Sequence, residues 1–287
     1  MRKRFCTTVL FLAMVLTACG TGQYAETAPP FTETPQGPTL TAAPTPSLVL
    51  GPDITPEAVS TPRPTPELIS SPVLPEGHND GYFDSAVFIG DSIMEGVRQY
   101  VAKHRSVEPT LGQAVFLTSV SGISLADLGQ DGVGYHYQGE DMPLQDILTQ
   151  MDCTRIFLLL GLNDLAAADP EIEKIIADYS RLIDLLREAV PDVEVIVMTN
   201  TPKVSSNWLP DYTANRSFGN PLIAEFVDAL IQMCDSRGIA YVDTYQALKD
   251  ETGALPDDCC RDGFLHLNDN GAKLVVDALY EYASWKS

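Results

Sequence analysis

Ser85-Ala86-Val87-Phe88-Ile89-Gly90-Asp91-Ser92-Ile93 is an apolar run that stops at a glycine, an acid and a serine. Residues 85–90 read as a buried strand, and residues 93–104 read as the helix that follows it. A serine at that junction sits at a helix N-terminus. Free backbone N–H groups and the helix dipole there favour a developing negative charge. The plainer alternative is that Ser92 merely caps the helix and Asp91 is a surface turn.

The same alternation continues downstream. Residues 114–119 read as a second strand. Residues 155–161, with Ile156-Phe157-Leu158-Leu159-Leu160 in the middle, are apolar on both faces, as a central parallel strand must be. Asp169 can cap the next helix and Pro170 suits its first turn. In that helix Ile172, Ile175, Ile176, Tyr179, Leu182, Ile183 and Leu186 recur at helical spacing. A strand over 193–199, a helix over 218–236 and a short strand over 239–243 follow. Asn268 can cap a last helix running to about Tyr282. Strand–helix alternation of this kind predicts an α/β domain with a parallel sheet covered on both faces. No internal repeat interrupts it, and about 200 residues are enough for a sizeable core.

The N-terminal quarter reads differently. Arg2, Lys3 and Arg4 precede an apolar run over 5–16 that is too short for a comfortable membrane span. The run ends in Leu16-Thr17-Ala18-Cys19-Gly20, which resembles the lipobox of bacterial lipoproteins. That resemblance implies cleavage before Cys19 and a lipid on its sulfur, hence an extracytoplasmic protein anchored to the bacterial cell membrane. A buried lipid CH₂ contributes ~0.8 kcal/mol, so several chains hold firmly. The alternative is a plain secretory signal that ends near a cysteine. Residues 20–79 hold 13 of the 21 prolines, with many Thr and Ser, and carry no apolar periodicity. They read as a disordered or polyproline-like spacer, which as a flexible coil spans roughly 40–45 Å. The expected organisation is a signal over 1–19, a spacer over 20–79 and a catalytic domain over 80–287.

Charge narrows the partners. The chain carries a net −21, and residues 80–287 account for −19 of it. Nucleic acid and anionic membrane surfaces are disfavoured partners for such a domain. Besides Cys6 and Cys19 there are Cys153, Cys234, Cys259 and Cys260, with no CxxC or HExxH spacing, so neither a structural zinc nor another metal is expected. An exported chain can form disulfides, and buried free thiols are the other possibility.

Four short elements carry chemistry. Gly90-Asp91-Ser92 closes the first strand. Ser121-Gly122 follows the second, and glycine lets a backbone N–H approach a ligand closely. Gly161-Leu162-Asn163-Asp164 closes the central strand, where an Asn side chain can serve as an oxyanion donor. Asp262-Gly263-Phe264-Leu265-His266 precedes the last helix. The other histidines are His78 in the spacer, His104 near a helix end and His136 in a Gly-rich loop, the one serious competitor for a base.

Ser, Gly, Asn and His in this order, each at the carboxyl end of a strand or before a helix, resemble the SGNH (GDSL-like) hydrolase family over residues 84–285. The resemblance implies a three-layer α/β/α, flavodoxin-like fold with a mostly parallel five-stranded sheet. It implies Ser92 as nucleophile, His266 as base and Asp262 as the acid that orients it. It implies an oxyanion hole made by the N–H of Ser92, the N–H of Gly122 and the Asn163 side chain, with no cofactor. The family places its acid three residues before the histidine, where this chain has Gly263. Asp262 is four residues before, so Asp257, Asp258 or a backbone carbonyl remain alternatives.

The implied activity is hydrolysis of acyl esters, with an O-acetyl group on a carbohydrate or cell-wall glycan favoured by the surface tether. The rivals are an acyltransferase, a lysophospholipase or thioesterase using the same site, and a non-catalytic binding lipoprotein. Residues 129–141, and residues 203–221 with Trp208, Tyr212, Arg216 and Phe218, are expected either to shape the pocket or to pack on the surface.

Overall fold

The structure, a computed structural model, describes residues 79–119, 123–128 and 134–286. Cys19, the signal and the spacer up to residue 78 lie outside the described residues, as do Ser121, Gly122 and part of the 129–141 segment.

In chain order the elements are β1 (Ala86–Gly90), α1 (Ser92–His104), β2 (Val115–Thr118), α2 (Leu125–Leu128), β3 (Gly134–Tyr137), β4 (Glu140–Pro143), α3 (Leu144–Thr149), β5 (Arg155–Leu159), α4 (Leu162–Leu165), α5 (Ile172–Ala189), β6 (Glu194–Met198), α6 (Asn220–Arg237), β7 (Ala240–Val242), α7 (Thr244–Leu248) and α8 (Asp269–Ser284). Five strands form one parallel sheet in the order β2-β1-β5-β6-β7. All five residues of β1 are buried, and so are four of five in β5 and in β6. Residues that are apolar on both faces belong inside a sheet covered on both sides.

The helices fall into two packing groups. One contains α1, α7 and α8; the other contains α2, α3, α4, α5 and α6. The register places Phe88 opposite both Phe116 and Phe157. Their rings stack across β2, β1 and β5 with centroids 4.8 and 4.5 Å apart, a cross-strand ladder that fixes pairing at the sheet centre. The Thr118 hydroxyl donates to Glu95 at 2.6 Å and ties β2 to α1.

Two details differ from the sequence reading. The helix read as starting at Asp169 and Pro170 opens at Ile172, with Glu171 in an extended N-cap conformation and no side-chain cap. Proline biases Asp169 before it away from helical angles, so the helix starts beyond the pair. Within 129–141, the hairpin of β3 and β4 replaces the expected loop. Its two-residue turn uses positive φ at Gln138 (51°) and Gly139 (93°), the geometry that matches the twist of paired strands. Among the described residues no helix is long and apolar enough to cross a membrane.

Candidate active site

After β1 the chain runs to β2 on one side, and β5 later pairs on the other side. A crevice opens where strand order reverses in this way, beyond the carboxyl ends of the strands. The segments after β1 and β5 both project into it. They carry Ser92 and Asn163 respectively.

Ser92 is the first residue of α1, but it does not cap the helix. Asp91 does: its Oδ1 accepts the N–H of Ile93 at 2.9 Å. Asp91 is only 2% exposed, so the surface-turn alternative fails. The division leaves the Ser92 hydroxyl free for another partner. Its Oγ lies 3.0 Å from Nε2 of His266, and Nδ1 of His266 lies 2.5 Å from Oδ2 of Asp262. An ionised carboxylate only accepts, so Nδ1 donates to Asp262, and Nε2 of the neutral ring is left to accept the serine proton.

Asp262 reaches His266 in spite of the extra residue because Gly263 turns the chain with φ of 70°. Few side chains tolerate that conformation. The turn aims three backbone N–H groups at Oδ1 of Asp262: those of Phe264 at 2.9 Å, Leu265 at 3.2 Å and His266 at 3.3 Å. The Cys260 thiol donates to the same oxygen at 3.4 Å. Burial alone would raise the Asp262 pKa, but the hydrogen bonds from His266 and the Phe264 N–H prevail and hold it down at about 2. Below this loop, Asn268 caps α8 through the N–H groups of Asn270 and Gly271, which fixes where His266 enters the crevice.

Asn163 lies in α4, directly after Gly161. Gly161 has φ of 111°, and a Cβ there would meet the Phe226 ring at 2.8 Å, so the turn out of β5 requires glycine. The Asn163 amide is committed. It donates to Oδ2 of Asp91 at 3.2 Å and to the Ile123 carbonyl at 3.1 Å. Both oxygens of Asp164 accept the N–H of Leu125, at 3.1 and 3.2 Å. Burial pushes the carboxyls of Asp91 and Asp164 up to about 6 each, against the hydrogen bonds they accept from Ile93 and Leu125.

A cavity of about 600 Å³ opens beside Ser92 and His266. Tyr212, Phe218, Phe264 and Leu265 supply apolar lining, and Asn163 is among its polar lining residues. Of the segment expected to shape the pocket, Tyr212 and Phe218 line this cavity, while Arg216 lines a neighbouring hollow.

The remaining candidates lie elsewhere. Asp257 and Asp258 occupy a 3-10 turn, where the Asp258 carbonyl accepts from Asn268 and Asn270. His136 is an exposed residue of β3 whose Nδ1 lies 2.9 Å from Asp141. His104 stacks on Tyr100 with centroids 4.0 Å apart. Cys153, Cys234 and Cys259 are buried free thiols, and Cys260 is a half-buried one. Sequence reasoning missed the Cys260 thiol and the Asp91–Asn163 link, since no local pattern announces either.

The model of the GDSL-like lipase/acylhydrolase family matches residues 88–274. No curated protein matches the chain. Among solved structures, a GDSL-like lipase from Bacteroides thetaiotaomicron VPI-5482 is similar with a TM-score of 0.53 at 14% identity, over 74% of this chain and 93% of that one. A candidate acylhydrolase from Bacteroides fragilis NCTC 9343 is similar with a TM-score of 0.53 at 15% identity, over 71% of this chain and 88% of that one. At these identities the likeness is one of fold.

Proposed function

Because this chain belongs to the GDSL-like lipase/acylhydrolase family, we propose that it is a serine esterase that removes short acyl groups, O-acetyl above all, from carbohydrate or cell-wall glycans. Ser92 is the nucleophile, His266 the general base and then acid, and Asp262 the residue that orients and charge-stabilises the imidazole. The observation that carries the reading is the continuous Ser92–His266–Asp262 relay, at 3.0 and 2.5 Å, beside a cavity large enough for substrate.

In the proposed mechanism, Ser92 Oγ attacks the ester carbonyl carbon while its proton passes to Nε2 of His266. The imidazolium is stabilised by Asp262, which stays ionised. The carbonyl oxygen gains negative charge and takes hydrogen bonds from the N–H of Ser92, the N–H of Gly122 and the Asn163 amide. One such donor is worth about 3 kcal/mol in the transition state. His266 then gives its proton to the departing alcohol oxygen, which leaves an acyl group on Ser92. Water attacks that ester with His266 again as base, and the acid product departs as the serine is restored. Asn163 can turn one N–H to the oxyanion by releasing the Ile123 carbonyl, while Asp91 keeps the other.

The lipid on Cys19 and the spacer over 20–79 belong to the same proposal. They hold the domain outside the membrane while leaving it reach. A fluorophosphonate probe followed by peptide mapping tests the nucleophile. The reading requires adduct on Ser92 and none in Ser92→Ala; unmodified Ser92 in the wild-type protein would refute it.

A further inference from the structure

Residues 199–219, between β6 and α6, contain no regular secondary structure. Connections of this length inside a compact domain are uncommon, and are usually either binding loops or unstructured linkers. This one is pinned along its length. Asn215 donates its backbone N–H to the Ala166 carbonyl at 3.0 Å and its side-chain amide to the Leu165 carbonyl at 2.9 Å. The Val204 N–H donates to the Phe264 carbonyl at 2.9 Å. Asn220 bonds the backbone of Lys203 in both directions at 2.8 Å. The ammonium of buried Lys203 donates to the carbonyls of Val204 and Ser206.

A loop held this firmly still leaves two large aromatic side chains in water. Trp208 is 55% exposed and Tyr212 is 71% exposed. Both pack T-shaped on one buried ring, Phe264, with centroids 5.9 and 6.4 Å away. Phe264 lies two residues before His266 and lines the cavity beside Ser92, as does Tyr212. Tyr212 lines this cavity itself, and Trp208 adjoins it through Phe264. Exposed aromatic surface of this kind is unfavourable in the free protein, and a ligand that covers it removes that penalty.

We propose that Trp208 and Tyr212 form a stacking platform for a neutral pyranose ring, holding it so that its O-acetyl group reaches Ser92. The proposal rests on the esterase reading and names its substrate class. An aromatic face matches the apolar C–H face of a sugar ring, and the indole N–H and phenol O–H can meet its hydroxyls. A fatty acyl chain calls instead for a covered apolar channel. The net −19 of residues 80–287 favours a neutral glycan over an anionic one.

The test compares kcat/KM for O-acetylated xylo-oligosaccharides with kcat/KM for vinyl acetate, which has no ring to stack. In Trp208→Ala/Tyr212→Ala this ratio falls about tenfold, mainly through KM for the oligosaccharide. Trp208→Phe and Tyr212→Phe, which keep a ring, retain most of it. A ratio that does not move in the double alanine variant overturns the platform. So does a ratio that falls as far in the phenylalanine variants, or a wild-type preference for p-nitrophenyl octanoate over the acetylated sugar. A wild-type protein inert toward every ester removes the esterase reading, and the platform with it.

Discussion

Asp262 accepts a 2.5 Å hydrogen bond from His266, four residues further on, because Gly263 between them turns the chain through a positive φ. If that carboxylate sets the imidazole tautomer, Asp262→Asn lowers kcat by about 10²–10⁴ through loss of the correct tautomer and of charge stabilisation. His266→Ala is at least as damaging. Asp257→Asn and Asp258→Asn stay within about threefold of wild type, the scale of surface changes. Steady-state kinetics on p-nitrophenyl acetate checks all four. A near-normal Asp262→Asn enzyme removes Asp262 from the site.

The Asn163 amide donates to Asp91 and to the Ile123 carbonyl in the free site, and one of its N–H groups turns to the oxyanion in the mechanism above. Asn163→Ala is therefore expected to lower kcat about 10²–10³-fold with KM nearly unchanged, the mark of an interaction made in the transition state. An equal loss carried by KM would assign Asn163 to ground-state binding instead.

Asp91 is buried with its pKa raised to about 6, which is roughly 3 kcal/mol above an unperturbed aspartate by the value of a pKa unit. Its raised folded-state pKa means the native state holds a proton that the unfolded chain gives up near pH 4. The associated stability is present below pH 4 and is lost as pH rises to about 6. Glu95 and Asp262, both held at about 2, contribute in the opposite sense and lose their stabilisation only as pH falls below 4. Asp91→Asn keeps an oxygen for the Ile93 N–H and cannot titrate. Urea denaturation at pH 4 and pH 7 should show the stability of the variant rising relative to wild type with pH. Parallel pH profiles would contradict the assignment.

Cys19 carries the proposed membrane attachment. Mass spectrometry of the protein from its native membrane is expected to find residues 1–18 absent and lipid on the Cys19 sulfur. A free Cys19, or cleavage elsewhere, contradicts the anchor.

The sheet was legible because β1, β5 and β6 are apolar on both faces, a pattern few other arrangements accommodate. The switch point between β1 and β5 follows from strand order, which no single segment states. The β3–β4 hairpin was illegible: its turn places glutamine at a positive φ, where Asn or Asp next to Gly would have signalled it. Asp262 was ambiguous by spacing, since the effect of Gly263 depends on a dihedral angle and not on a residue count. The partners of Asn163 lie 72 and 40 residues away in sequence, so only the folded chain pairs them.

The central claim is that the Ser92 hydroxyl performs the chemistry and contributes little to the fold. Its most direct test is kcat for ester hydrolysis by Ser92→Ala, measured beside the thermal midpoint. Asp91 caps α1 through its own carboxylate, so the variant keeps its cap and its midpoint should stay within a few degrees of wild type. Activity should fall by at least about 10³-fold, as removal of a nucleophile requires. Hydrolysis within a few fold of wild type, from a protein equally well folded, would contradict the account.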